Sequence, residues 1–238
     1  MWMNYNFSRR DFLISGTTLF ASISFKLHGG EQNNFSSYDE EIENFIKERR
    51  IPGATLAVFN KGRIIYTQGY GYADIKEKIK PEPSTLFRIA SLSKSVTAAG
   101  ILKLFEEGKI DIDSPIVEYL KKLDIDKNIV DNRWYKISVK NLLQHTGGWD
   151  SKKSGDPMFY YPAKIVQEKN RTIKPIDVVE YMLGKPLDFD PGSKYVYSNF
   201  GYCVLGRVIE AVSGLNYEDY INRYILRPAG INDMHIGS

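Results

Sequence analysis

The pattern of apolar and polar positions marks out a short sheet element followed by a largely helical chain. Between Tyr38 and Arg50, apolar residues fall at Ile42, Phe45 and Ile46, the spacing of one helical face with a charged back. Ile51-Pro52-Gly53 ends that helix. Ala54 to Asn60 and Arg63 to Tyr70 are rich in β-formers and flank Lys61-Gly62, which predicts a hairpin. A charged loop with two prolines follows, from Ile75 to Ser84. Helical spacing resumes at Ser91 and runs to Glu107, with Gly108 as the stop. Shorter helices are predicted over Pro115 to Leu120, Val139 to His145 and Pro175 to Leu183. Asn199 to Ser213 carries a strong apolar stripe ended by Gly214, and Tyr217 to Leu226 forms a last helix before Pro228. Ser151 to Asn170 and Pro186 to Lys194 read as loops.

Composition narrows the classes. The chain has 238 residues, 42% hydrophobic and 26% charged, which is ordinary for a globular domain with a sizeable core. The net charge of +3 is scattered, without a long basic run, so no nucleic-acid partner is expected. A single cysteine, Cys203, makes neither an internal disulfide nor a Cys-based zinc site. The three histidines are far apart in sequence, so neither a metal site nor a cofactor is expected.

The first thirty residues read as an export address. Ser8-Arg9-Arg10-Asp11-Phe12-Leu13 looks like a twin-arginine motif. The apolar stretch behind it, Phe12 to Phe25, is short for a transmembrane helix and has signal-peptide proportions. The expected division is therefore a signal-like segment over 1–30 and one domain over 31–238. The expected destination is the periplasm or cell exterior, with no stable membrane span after signal removal.

Two short motifs carry candidate chemistry. In Ser91-Leu92-Ser93-Lys94, residues i and i+3 share a helical face, so a hydroxyl would lie beside an amine. At a helix start this hydroxyl also sits in a positive field, which stabilises an oxyanion and favours use of the amine as a base. The same letters fit a helix cap followed by a surface charge. In Val196-Tyr197-Ser198-Asn199, residues i and i+2 of an extended segment point the same way. A phenol and a carboxamide would then project together; a packed tyrosine beside an N-cap fits equally well.

Taken together, Ser-x-x-Lys followed by Tyr-x-Asn resembles the serine β-lactamase and penicillin-binding-protein superfamily, in particular its class C β-lactamase-related branch. FRIASLSKSVTAAGILKLFEEGKIDIDSPI is similar to that family's nucleophile helix. ISVKNLLQHTGGWD is similar to its helix ending in His-Thr-x-Gly, and PGSKYVYSNFGYCVLGRVIEAVSG to its second motif. The resemblance implies an α+β fold of the β-lactamase/transpeptidase type, an antiparallel sheet packed with helices plus a helical subdomain. It implies a serine hydrolase that forms an acyl-enzyme on a small or peptide-like amide, lactam or ester. Ser91 would be the nucleophile, Lys94 and Tyr197 the bases, and Asn199 the group that orients Lys94 and binds substrate. His145 would be a structural helix end. Cys203 reads as core packing. Tyr160 and Tyr161 either line the cleft or belong to a plain surface loop.

The family's third motif, Lys-Thr-Gly or His-x-Gly on a strand, has no counterpart at a family-like spacing. His235-Ile236-Gly237 follows Tyr197 too closely. The chain is therefore expected to lack the C-terminal sheet strands and one oxyanion donor, with impaired turnover. The alternative is a non-catalytic remnant or binding protein that keeps the helical part of the fold.

Overall fold

Lys61 and Gly62 close the hairpin as a primed turn, because both take positive φ, 49° and 74°. That backbone hand matches the twist of paired strands. The computed structural model describes residues 35–123, 129–159, 165, 169 and 171–237. In it, β1 (Gly53–Asn60) and β2 (Arg63–Gly71) pair antiparallel, with one register shift between Val58 and Phe59. The signal-like segment and the Tyr160-Tyr161 pair lie outside the described residues. The chain divides into two compact units, Met1–Arg88 and Ile89–Ser238.

In the first unit, helix α1 (Ser36–Glu48) is tied to β2 by one carboxylate. Asp39 accepts hydrogen bonds from the Tyr66 and Tyr70 hydroxyls at 2.6 and 2.5 Å, and the Phe35 ring stacks on Tyr66. Those two phenols are the main reason the Asp39 carboxyl sits below its ordinary range. Ile46, from the predicted apolar face, is buried.

The second unit is helical. Its elements are α2 (Ser93–Glu106), α3 (Ile116–Leu120), α4 (Val139–Leu143), α5 (Ser151–Ser154), α6 (Pro175–Leu183), α7 (Asn199–Ser213) and α8 (Tyr217–Ile221). The 15-residue α7 is the central post, packing against α2, α3, α4, α6 and α8. Its stripe of Val204, Leu205, Val208 and Ile209 is fully buried, each side chain contributing about 2 kcal/mol of apolar burial. Trp134, Trp149 and Phe200 form an edge-to-face aromatic cluster beside its first turn. The fold is thus α+β, a small antiparallel sheet with a predominantly helical second unit.

Three local readings change. The predicted helix from Ser91 begins instead as a 3-10 turn, Ala90–Leu92, and only becomes α-helical at Ser93. Ala90 has φ of +43°, a left-handed backbone that costs a non-glycine residue about 1 kcal/mol or more and breaks helical continuity. The stretch after Ser151, predicted irregular, starts with the one-turn helix α5, because the Asp150 side chain caps it from Lys152 N–H. The last predicted helix turns into a π-helical segment over Asn222–Leu226. No helix among the described residues is long and apolar enough to cross a membrane.

Candidate active site

The site assembles at the start of α2, where the strained Ala90 sets up the turn that carries Ser91. Ser93 is occupied locally, its Oγ donating to Ala90 O at 2.7 Å. Ser91 is left exposed. One helical turn on, Lys94 Nζ lies 3.3 Å from Ser91 Oγ. The i, i+3 geometry therefore brings amine and hydroxyl together.

The second motif arrives from the loop ahead of α7. Ser198 is the N-cap of α7, its Oγ accepting from Gly201 N–H at 3.0 Å. An extended N-cap backbone sends Tyr197 and Asn199 to the side opposite Ser198. Tyr197 Oη donates to Ser91 Oγ at 2.7 Å. Asn199 Oδ1 accepts from Lys94 Nζ at 2.7 Å. The four residues predicted from sequence thus form one connected group, with Lys94 Nζ also 4.7 Å from the centre of the Tyr197 ring.

Electrostatics follow from that packing. The Lys94 amine, foremost, and then the Ser91 hydroxyl hold the Tyr197 phenol below its usual value, against a smaller push from burial. A phenol so placed gives up its proton more readily than a free one. Beside Ser91 runs a groove of about 370 Å³, lined mainly by Ala90, Lys94, Thr97, Met158, Phe159 and Tyr202.

His145 plays a supporting part. It ends the turn after α4 with φ of +58°. Its Nδ1 accepts from Ser198 N–H at 3.1 Å, and its carbonyl accepts from Val196 N–H at 2.9 Å. Its ring lies 4.6 Å from that of Tyr197. Both contacts brace the Tyr197 loop, and burial, then the Lys94 charge, lowers the imidazole below its ordinary value. The neutral ring this favours is the form that can accept from Ser198. Cys203 is half-buried against Pro175 O, and burial pushes its thiol up to about 11, so it stays protonated at neutral pH.

Sequence reasoning missed Asp156. It lies in a stretch without helical or strand periodicity, so no apolar pattern singles it out. The structure places its Oδ2 2.7 Å from Asn199 Nδ2 and its Oδ1 2.9 Å from Met158 N. An acidic residue followed by Pro157 signals a turn, and that was the only local signal available.

A profile of the beta-lactamase family matches residues 38–238. The chain belongs to the beta-lactamase family. Protein flp of Staphylococcus aureus is 31% identical over 190 residues, covering 80% of this chain and 36% of flp. A penicillin-binding protein homologue from Pyrococcus abyssi, solved as an octamer, superposes with a TM-score of 0.67 at 28% identity. That match covers 84% of this chain and 44% of the homologue. A D-amino acid amidase from Ochrobactrum anthropi, complexed with L-phenylalanine amide, gives a TM-score of 0.65 at 27% identity. It covers 85% of this chain and 53% of the amidase. The chain therefore spans about half or less of the length of these relatives.

Proposed function

We propose that this chain carries the nucleophile and proton-transfer groups of a serine hydrolase acting through an acyl-enzyme. The observation behind this reading is the convergence of one hydroxyl, one amine, one phenol and one carboxamide from two distant segments. A helix cap needs none of the last three. Ser91 Oγ attacks the carbonyl carbon of an amide, lactam or ester, and its proton passes to the Tyr197–Lys94 pair. The Ser91 backbone N–H is one donor to the resulting oxyanion. The pair then protonates the leaving nitrogen or oxygen as its bond to the acyl carbon breaks. Water attacks the acyl-enzyme, its proton returns through the same pair, and the acid departs with Ser91 restored.

The Tyr-x-Asn form of the second motif supports placement in the class C-related branch. The amidase complexed with L-phenylalanine amide supports small amides as a substrate class, and the groove beside Ser91 offers room for an acyl side chain. The twin-arginine-like start supports action outside the cytoplasm.

Intact-mass measurement after incubation with a penicillin or a fluorophosphonate tests the reading. The expected result is one covalent adduct, mapped to Ser91 and missing from Ser91→Ala. A folded chain that forms no adduct with either probe points instead to a non-catalytic binding protein.

A further inference from the structure

Asp156 is the one acidic group in contact with the Ser91–Lys94–Tyr197–Asn199 cluster by a direct hydrogen bond among the described residues. Both of its oxygens are engaged inside the protein. Oδ2 accepts from Asn199 Nδ2 at 2.7 Å, and Oδ1 accepts from Met158 N at 2.9 Å. Its charge is therefore directed at the protein's own groups.

A carboxamide is nearly symmetric in shape, and its two ends differ only in donating or accepting. Lys94 is a pure donor, so it needs the oxygen end of Asn199. An ionised carboxylate is a pure acceptor, so it needs the nitrogen end. With Asp156 on one side and Lys94 on the other, a single orientation pairs every group. Rotating the carboxamide by half a turn would set donor against donor and acceptor against acceptor. The other oxygen of Asp156 holds the backbone of Met158, and Met158 with Phe159 forms a wall of the groove beside Ser91.

We propose that Asp156 is a positioning residue that fixes the orientation of Asn199, and through it the Lys94 amine, while anchoring the Met158–Phe159 wall to the same point. This rests on the acyl-enzyme reading for its catalytic consequence, though the orientation of Asn199 is a matter of structure alone. The charge of Asp156 also opposes loss of the Tyr197 proton, so its removal should displace that phenol to lower pH.

The test is a double-mutant cycle on the full chain, with Asp156→Asn, Asn199→Ala and the two combined. The readouts are the rate of fluorophosphonate labelling of Ser91 across pH and the side-chain amide signals of Asn199 by NMR. Asp156→Asn is expected to slow labelling by about ten- to a hundredfold, as small misplacements of a catalytic group do. It should also move the pH profile to lower pH and shift the Asn199 amide protons upfield. In the Asn199→Ala background the same change should add little, and Asp156→Glu should restore part of the rate.

Equal losses in both backgrounds, or slower labelling that merely follows the folded fraction with an unmoved pH profile, would overturn the proposal. If Asp156→Asn unfolds the chain, Asp156→Glu and the wild-type Asn199 amide signals still decide it. Amide protons without the downfield position of a charge-assisted bond would count against it. A wild-type chain that takes no label sinks the acyl-enzyme reading, whereas the NMR arm continues to judge the role of Asp156.

Discussion

Tyr197 Oη and Ser91 Oγ lie 2.7 Å apart, although 106 positions of chain separate the two residues. Tyr197 is 41% exposed, so removing its hydroxyl costs little packing. Tyr197→Phe is expected to leave the melting temperature unchanged and to lower Ser91 labelling by about 10²- to 10⁴-fold, the usual range for a lost proton-transfer group. Fluorophosphonate labelling beside a thermal melt measures both. Labelling at the wild-type rate would remove Tyr197 from the chemistry.

The Lys94 amine is the leading cause of the lowered Tyr197 phenol. Labelling of the wild type should therefore rise with pH and level off below about 10, the ordinary phenol value. In Lys94→Met the rate should drop and the rise should move up toward that value. A pH series of labelling rates for both proteins checks the direction. A rise that stays in place in the variant would show that the amine does not tune the phenol.

His145 contributes a second pH effect, on stability. Its folded imidazole is lowered by burial and by Lys94, so folding favours the neutral ring. The associated stability is present above about 6.5, the unperturbed value, and is lost as the pH falls through the lowered folded value. His145→Asn keeps a side chain that tolerates positive φ. Its melting temperature should fall less than that of the wild type between neutral and mildly acidic pH. Parallel melting curves for the two proteins would refute the assignment.

Asp131 caps the 3-10 turn Asn132–Lys136, which carries Trp134, and ties it to Leu187. Its carboxylate, 12% exposed, accepts from the Arg133 guanidinium at 2.7 Å, from Arg133 N at 3.0 Å and from Leu187 N at 2.9 Å. The Arg133 side chain first, then the two backbone donors, hold it well below the usual carboxylate range against the opposing effect of burial. Asp131→Asn is expected to cost about 2 kcal/mol at neutral pH, the size of a lost charge-assisted hydrogen bond. The depressed carboxyl supplies stability above its unfolded value near 3.9 and loses it as the pH falls toward the folded value. The gap in melting temperature between wild type and variant should therefore narrow from pH 7 to about pH 2. An unchanged gap would mean the ionised form is not what Arg133 holds.

Periodicity read from the chain was sufficient for the hairpin, for the long helices and for the buried stripe of α7, because each depends on contacts within a few residues or on one continuous apolar face. The same short-range logic placed Ser91 beside Lys94 and sent Tyr197 and Asn199 to one side. What periodicity could not reach were the breaks in regular backbone. These are the left-handed Ala90, the turn ending at His145 and the π-helical Asn222–Leu226; the His145 turn holds Val196 and Ser198, which are distant in sequence, and local propensity does not report such a demand.

The sequence by itself determined which hydroxyl, amine, phenol and carboxamide stand within three residues of one another, and so which of them pair locally. Only the tertiary structure decided that the two pairs meet, since that depends on α7 packing against α2 across more than a hundred residues of intervening chain. It also decided that Asp156 meets Asn199, since a 43-position separation carries no periodic signal. A hydrogen bond needs partners within about 3 Å, and chain distance says nothing about that until the core has closed.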